Sequence, residues 1–165
     1  MKKYEFTGET KEIRLLFRTV TLHRIRATVA FGIVEVGDLG GWIEKEENLS
    51  HEGKAWVWGN AKVWGNAKVC GDAEVCGDAE VFSASHVLVI GAIGSRNDFT
   101  TFYRDKDNEI TVKCGCFLGK IDRFLEKVTQ THGDSKYALV YRAAVEVAKL
   151  QIDLSGEAPK DADEE

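Results

Sequence analysis

Long apolar runs and cysteines are both scarce in this chain of 165 residues. No run approaches the ~18 consecutive apolar residues that a membrane-spanning helix needs. The opening residues, MKKYEF, lack the apolar core of a secretory signal. Four cysteines are too few for a disulfide scaffold and are most simply reduced thiols. These absences predict a cytoplasmic protein that does not engage a membrane.

Signature motifs of the common enzyme classes are missing too. The chain has no P-loop, no GxGxxG, no HExxH and no GxSxG. A net charge of −5 argues against a general nucleic-acid binder, which would be basic. The charge is uneven, because residues 1–33 carry seven bases and three acids, whereas residues 153–165 carry six acids and one base. The basic N-terminal segment therefore suits an anionic ligand.

Six consecutive six-residue repeats occupy residues 57–92. Written from Val57 they read VWGNAK, VWGNAK, VCGDAE, VCGDAE, VFSASH and VLVIGA. Valine opens every repeat, and glycine followed by Asn or Asp marks the third and fourth places of the first four. These residues tolerate the positive φ that sharp corners require. The pattern resembles the hexapeptide-repeat family, whose left-handed β-helix turns once in eighteen residues and often forms trimers.

The repeat register extends backward through Ala55, Leu49 and Ile43, so the expected helix covers residues 39–94 in about three coils. The segment DLGGWIEKEENLS at 38–50 resembles a lead-in of prophage-borne repeat proteins of unassigned role. Stacking at eighteen-residue intervals places Trp64 under Phe82. The same interval places Glu44, Lys62 and Glu80 in one column of alternating charge.

The segments on either side of the repeats have different patterns. Residues 12–36 look like strands and predict a hairpin that caps the first coil. After Gly94 the pattern indicates two strands, a helix that ends at Gly133, and a second helix from an Asp134 N-cap to about Ile152. The predicted fold is mainly β with an α+β C-terminal unit. It consists of a β-hairpin cap (1–38), a short left-handed parallel β-helix of about three coils (39–94), a ββαα unit (95–152) and an acidic disordered tail (153–165).

The second place of each repeat points outward yet carries apolar residues. A column of that size is not expected to stay in water. Two alternatives are open for what buries this column: the N- or C-terminal segment of the same chain, or neighbouring copies in a homotrimer. The second alternative makes an oligomer interface of Trp58, Trp64, Phe82 and Leu88.

Cationic and hydroxyl side chains in the C-terminal unit form a candidate site for an anionic small molecule. The N-terminus of the second helix adds its positive end there. The alternative is that these groups are simply solvated at separate places on the surface. The candidate ligand-binding residues are Arg104, Lys113, His132, Lys136 and Tyr137.

Cys114 and Cys116 would lie on one face of a strand and, with His132, are weak candidates for zinc ligands. The spacing suggests no fourth ligand, and thiols that act as small buried hydrophobes are the favoured alternative. No metal and no cofactor are predicted.

His86 is the only histidine inside the clean repeats. It is the candidate general base if the chain is a hexapeptide-type acyltransferase that uses a thioester donor. Against catalysis, residues 57–92 have no loop excursion that could shape an acceptor pocket, and three coils leave little length for a pantetheine arm.

The favoured function is a non-enzymatic oligomeric binding protein encoded by a phage or other mobile element. Such a protein would counter host defence by sequestering a nucleotide signal or by blocking a host protein. The mobile-element origin is implied by the lead-in resemblance alone. The expected partners are further copies of the chain, in a homotrimer, and an anionic small molecule or a host protein. The alternatives are the acyltransferase and a structural scaffold or spacer.

Overall fold

The computed structural model describes residues 1–155, and this part of the chain forms eleven β-strands and two α-helices. Of the tail for which disorder is predicted, residues 156–165 lie outside the described residues. The elements are β1 (Tyr4–Arg14), β2 (Thr19–Ala27), β3 (Leu39–Ile43), β4 (Trp56–Val57), β5 (Lys62–Val63), β6 (Glu74–Val75), β7 (Glu80–Val81), β8 (Val87–Ile93), β9 (Asp98–Arg104), β10 (Ile110–Cys114), β11 (Phe117–Lys120), α1 (Ile121–His132) and α2 (Lys136–Gln151).

A five-stranded mixed sheet joins the N-terminal hairpin to the repeats, in the order β1-β2-β3-β5-β7. The β1/β2 and β2/β3 pairs are antiparallel, whereas β3/β5 and β5/β7 are parallel. Lys62 pairs with Glu80, and in a separate two-stranded parallel sheet Val57 pairs with Val75. Both pairs join residues eighteen positions apart, the interval that the repeat predicts.

The predicted left-handed parallel β-helix with a separate hairpin cap is wrong as a fold class. Parallel pairing is confined to short stretches, and the largest sheets are mixed and antiparallel. The physical reason is that β2 pairs antiparallel with β3, so the hairpin satisfies the open strand edge by continuing the sheet. The described residues form a mainly β protein with two C-terminal helices.

The C-terminal unit is larger than the predicted ββαα arrangement. It is a four-stranded antiparallel sheet in the order β11-β10-β9-β8, with α1 and α2 packed against it. The segment VLVIGA, read in sequence as the last repeat, belongs to β8 and pairs antiparallel with β9. The second helix begins after Ser135 and not after an Asp134 cap.

Three apolar clusters hold the described residues together. The repeat valines and alanines form the first, with Tyr4 and Tyr103 closing it. The helices and the four-stranded sheet enclose the second. The third, called here the tryptophan cluster, consists of Ile13, Val20, Leu22, Trp42 and Trp64. Side chains alternate along β2, so that strand can supply both the first and the third cluster from its two faces.

Candidate functional site

The β1–β2 hairpin is anchored on the repeats by the tryptophan cluster. Ile13, Val20 and Leu22 are buried and pack with the indoles of Trp42 and Trp64. At Trp64 the outward apolar column is thus covered by the N-terminal strands of the same chain. Because this contact and the β2/β3 hydrogen bonds both hold the hairpin, its far end has a fixed position relative to the sheet.

The far end of the hairpin is the hairpin tip, residues Leu15 to Arg18. The N–H of Leu15 donates to the carbonyl of Arg18 at 2.8 Å, which closes the turn. Leu16 is 87% exposed and Phe17 is 94% exposed. Turn positions are normally filled by Gly, Pro, Asn, Asp or Ser, which bend the chain or satisfy its backbone. Two large apolar side chains there contribute nothing visible to the fold.

Positive charge surrounds the hairpin tip. Arg14 precedes the turn and Arg18 closes it, and no acidic residue occurs between Glu12 and Glu35. Arg18 reaches Glu44 at 3.4 Å, an ion pair whose arginine is more than half exposed. Because the arginine is in contact with solvent and the separation is long, the pair contributes little to stability.

Two further cations, Lys11 and Arg24, lie behind the tip on the face of the sheet that carries Trp42. The ring of Trp42 lies under Lys11 at 5.1 Å and under Arg24 at 5.6 Å, both cation–π contacts. Arg24 also pairs with Glu9 at 3.5 Å. The result is an apolar point at the end of a cationic sheet face, in a protein of net charge −5.

The residues of the predicted anionic-ligand site contact different parts of the chain. Arg104 is buried, with its guanidinium 5.0 Å from the ring of Phe82 and its Nε donating to Asn108 at 2.6 Å. Lys113 pairs with Glu74 at 3.8 Å and also donates to the carbonyl of Gly115.

His132 and Tyr137 are the only two of the five that share a ring contact among the described residues. Their centroids lie 5.8 Å apart where α1 gives way to α2, and Lys136 is exposed at the start of α2. His132 also stacks on Tyr141 at 5.7 Å. The anionic-ligand site stays a prediction, but these contacts do not gather its five members around one cavity.

The junction between the repeats and the C-terminal sheet holds His86. The side chain is buried, and its Nδ1 accepts the N–H of Phe82 at 3.2 Å. Burial and the nearby Arg104 lower the pKa of His86, and Asp153 opposes them. This placement favours a structural role for the candidate general base.

A cavity of about 160 Å³ lies beside this junction, lined partly by Asp105 and Lys120. Asp105 is buried and accepts hydrogen bonds from the backbone of Asp107 and Glu109 and from the Thr111 hydroxyl. The Lys120 ammonium lies 2.9 Å from both Asp105 and Asp107 and 3.5 Å from Glu109. Burial lowers the pKa of Lys120, but its hydrogen bonds to the aspartates outweigh this and raise it overall. Lys120 thus supplies a cation of the same chain to this group of carboxylates.

The candidate zinc ligands do not share a strand face. Cys114 ends β10, where its sulfur accepts the Thr100 hydroxyl at 3.3 Å, whereas Cys116 is exposed in the turn before β11. Within residues 1–155 no group of three or more His, Cys, Asp or Glu side chains could hold a metal ion.

The four residues of the predicted oligomer interface differ in exposure. Trp64 is buried in the tryptophan cluster, and Phe82 is half-buried against it. Trp58 and Leu88 are half-buried against the repeat core and the helix core. The homotrimer stays a prediction.

The hairpin tip was not predicted from the sequence, although a signal for it was present: an apolar Leu-Leu-Phe between two arginines, at the turn of a predicted hairpin.

No helix within residues 1–155 has the length and apolar character needed to cross a membrane. No protein-family model matches the chain, and no curated protein matches it.

Proposed function

We propose that this chain is a non-enzymatic binding protein that docks its hairpin tip into an apolar groove with an acidic rim on a partner protein. One observation carries the proposal. Leu16 and Phe17 are exposed at the end of a hairpin that is fixed by its own buried anchor, and arginines flank them on both sides.

Burial of the two tip side chains would supply the affinity. A fully buried Leu or Phe side chain contributes about 1.5 to 3 kcal/mol each. The anchored hairpin has little freedom to lose on binding, so less of this gain is offset by ordering. Arg14 and Arg18 would meet an acidic rim, which speeds association and orients the docked hairpin.

A protein partner is favoured over a nucleotide or a lipid bilayer. A nucleotide would need convergent cations, whereas Arg104 and Lys113 are already engaged within the chain. A bilayer rich in anionic lipid would repel the net charge of −5, and two side chains offer little area for insertion. Acyl transfer gains no support from His86, because it is buried and its Nδ1 already accepts a backbone N–H.

The partner is proposed to be a host protein that a phage or other mobile element blocks in order to counter host defence. This origin is supported only by the resemblance of DLGGWIEKEENLS to prophage-borne lead-ins. The cytoplasm is the proposed location, and the four free cysteines support a reducing compartment.

Photo-crosslinking in cells of the source host tests the proposal. A photoreactive phenylalanine analogue at position 17 should capture one defined protein. The matched control has the same analogue at Ile33, an apolar residue that is 78% exposed outside the hairpin. The captured protein must then bind the purified chain directly. Capture of the same proteins from both positions, or of none from position 17, would overturn the proposal.

Affinity for the purified partner gives the second test. Phe17→Ser should weaken binding at least about 30-fold, as expected for a central apolar anchor. Ile33→Ser should leave the affinity unchanged. An unchanged affinity in Phe17→Ser, with circular dichroism showing a folded chain, would contradict a role for the hairpin tip.

A further inference from the structure

One face of α2 is apolar and has no cover within the described residues. Its opposite face packs into the helix core through Ala138, Tyr141, Val145 and Ala148. The outward face carries Leu139 at 61% exposure, Val147 at 47% and Leu150 at 88%, with the exposed Ala143 between them. These residues, here the α2 stripe, recur at spacings of three or four, which places them along one side of the helix.

No part of residues 1–155 covers the α2 stripe. The ten residues after Ser155, GEAPKDADEE, contain five acids and no large apolar side chain. Such a segment has nothing with which to bury two leucines and a valine. An apolar helix face of this kind needs an external partner.

We infer that the α2 stripe binds the α2 stripe of a second copy of this chain, with the two helices antiparallel. The stripe is close to symmetric about its centre, because a leucine lies near each end and alanine lies near the middle. Antiparallel pairing about a two-fold axis then sets Leu139 against Leu150 of the partner subunit, twice. The small Ala143 near the crossing lets the helices approach closely.

The charges on α2 support the antiparallel arrangement. The N-terminal half carries Lys136 and Arg142 and no acid, whereas the C-terminal half carries the acid of the helix, Glu146, together with Lys149. Antiparallel pairing brings Arg142 near Glu146 of the partner subunit, and the reciprocal contact forms by symmetry. A parallel pair would instead set like charges against each other. The opposed helix dipoles also favour the antiparallel pair.

Arg142 is held in a defined place for this contact. Its guanidinium donates to the carbonyl of Gly133 at 3.0 Å and to the Thr129 hydroxyl at 3.3 Å, which ties it to the end of α1. Among the described residues, Glu146 pairs with the exposed Lys149 at 3.6 Å, a weak helix-surface pair. The glutamate can therefore turn to a second copy without loss of a buried partner.

The dimer is independent of the proposed docking through the hairpin tip, because the two surfaces lie on different elements. Each copy would keep its own tip, so the dimer would present two. Interfaces of one short helix per subunit are small, and a weak, concentration-dependent equilibrium is expected.

Sedimentation velocity of the full chain over a concentration series of roughly 1 to 300 µM tests the inference. The wild-type chain should pass from monomer to dimer within this range. Leu150→Glu should weaken the dimer at least about 30-fold. Leu118→Glu, at an exposed leucine on β11, is the matched control and should dimerise as the wild type does. Wild type that stays monomeric, a trimer, or a Leu150→Glu variant that still dimerises would overturn the inference.

A charge exchange tests the antiparallel register itself. Glu146→Lys alone and Arg142→Glu alone should each weaken self-association, because each sets like charges together twice. Mixed in equal amounts, the two variants should form a heterodimer with near wild-type affinity, since both reciprocal contacts become attractive again. A mixture that associates no better than either variant would contradict the register. The Phe17→Ser variant should dimerise normally, so failure of tip docking and failure of dimerisation are separable.

Discussion

The indole of Trp64 stacks on the ring of Phe82, with centroids 4.8 Å apart and planes 19° apart. The two residues are eighteen positions apart and hold equivalent places in successive layers of the repeat. Strands β1 and β2 close over this stack from outside through Ile13, Val20 and Leu22. The eighteen-residue repeat therefore produces the stack, and the hairpin packs on it.

Trp64→Ala should destabilise the protein by about 3 to 5 kcal/mol, because it removes a fully buried indole from beneath the hairpin. Urea unfolding measures the loss. Phe17→Ala is the control, since that ring is almost fully exposed, and it should change the free energy of unfolding by no more than about 0.5 kcal/mol. A large loss in the control would mean that the tip is structural.

Asp105→Ala should cost about 3 to 5 kcal/mol. The buried carboxylate accepts two backbone N–H groups, a hydroxyl and an ammonium, all of which would lose their acceptor. Asp107→Ala removes only an exposed partner of Lys120 and should barely change stability. Equal midpoints of thermal unfolding for the two variants would contradict the structural role assigned to Asp105.

Lys3 should make the protein more stable in mildly alkaline solution. Its ammonium is buried and donates to the carbonyl of Ala55 at 2.6 Å. Burial lowers the pKa of Lys3 from 10.5 to about 8, against a small opposing effect of Asp72. Above pH 8 the unfolded chain binds more protons than the folded one, so the free energy of unfolding rises with pH up to 10.5.

The rise between pH 7.5 and 9.5 should be about 1 to 2 kcal/mol by denaturant unfolding. It should disappear in Lys3→Met and persist in Lys2→Met, whose parent side chain is exposed. A rise that survives in Lys3→Met would assign the effect to another group.

His86 should make the protein less stable in mild acid. Its pKa is lowered by burial and by Arg104, with Asp153 opposing, so the folded state holds the neutral ring. Below pH 6.5 the unfolded chain takes up a proton that the folded chain resists, and stability falls. His86→Asn keeps an acceptor for the N–H of Phe82 and should flatten this decline between pH 7.5 and 5. A decline as steep as in wild type would exclude His86 as its source.

Contacts that depend on the local, periodic pattern of the repeats could be predicted from the sequence. The stacking of Trp64 on Phe82 and the pairing of Lys62 with Glu80 follow from the eighteen-residue interval and are confirmed. Glu44 does not lie in its predicted column. Trp42 pairs with Lys62 in its place, so this layer is two residues longer than the eighteen of the repeat. That layer contains a short helical turn at 46–48, which the buried Asn48 ties down through hydrogen bonds to Gly65 and Ala67.

The predicted fold class is wrong because it depends on which strand edges pair in the folded chain. The sequence of β2 does not indicate which strand it pairs with. The sequence of β8, VLVIGAI, is apolar or glycine throughout and suits either a repeat or a hairpin strand. Tertiary contacts decide which strand pairs with which, since the unpaired edge of β3 needs a hydrogen-bonding partner strand. The hairpin tip was missed for a different reason: exposure depends on where the rest of the chain lies.

The number of stacked repeat layers sets the distance between the hairpin and the C-terminal unit. The hairpin joins the sheet at β3, and the C-terminal unit follows β7, so the number of layers between them sets their separation. Insertion of one further eighteen-residue layer would lengthen that separation by about 4.8 Å, the distance between neighbouring strands. A chain of this design can change the reach between its two ends by duplication of sequence, without redesign of either end.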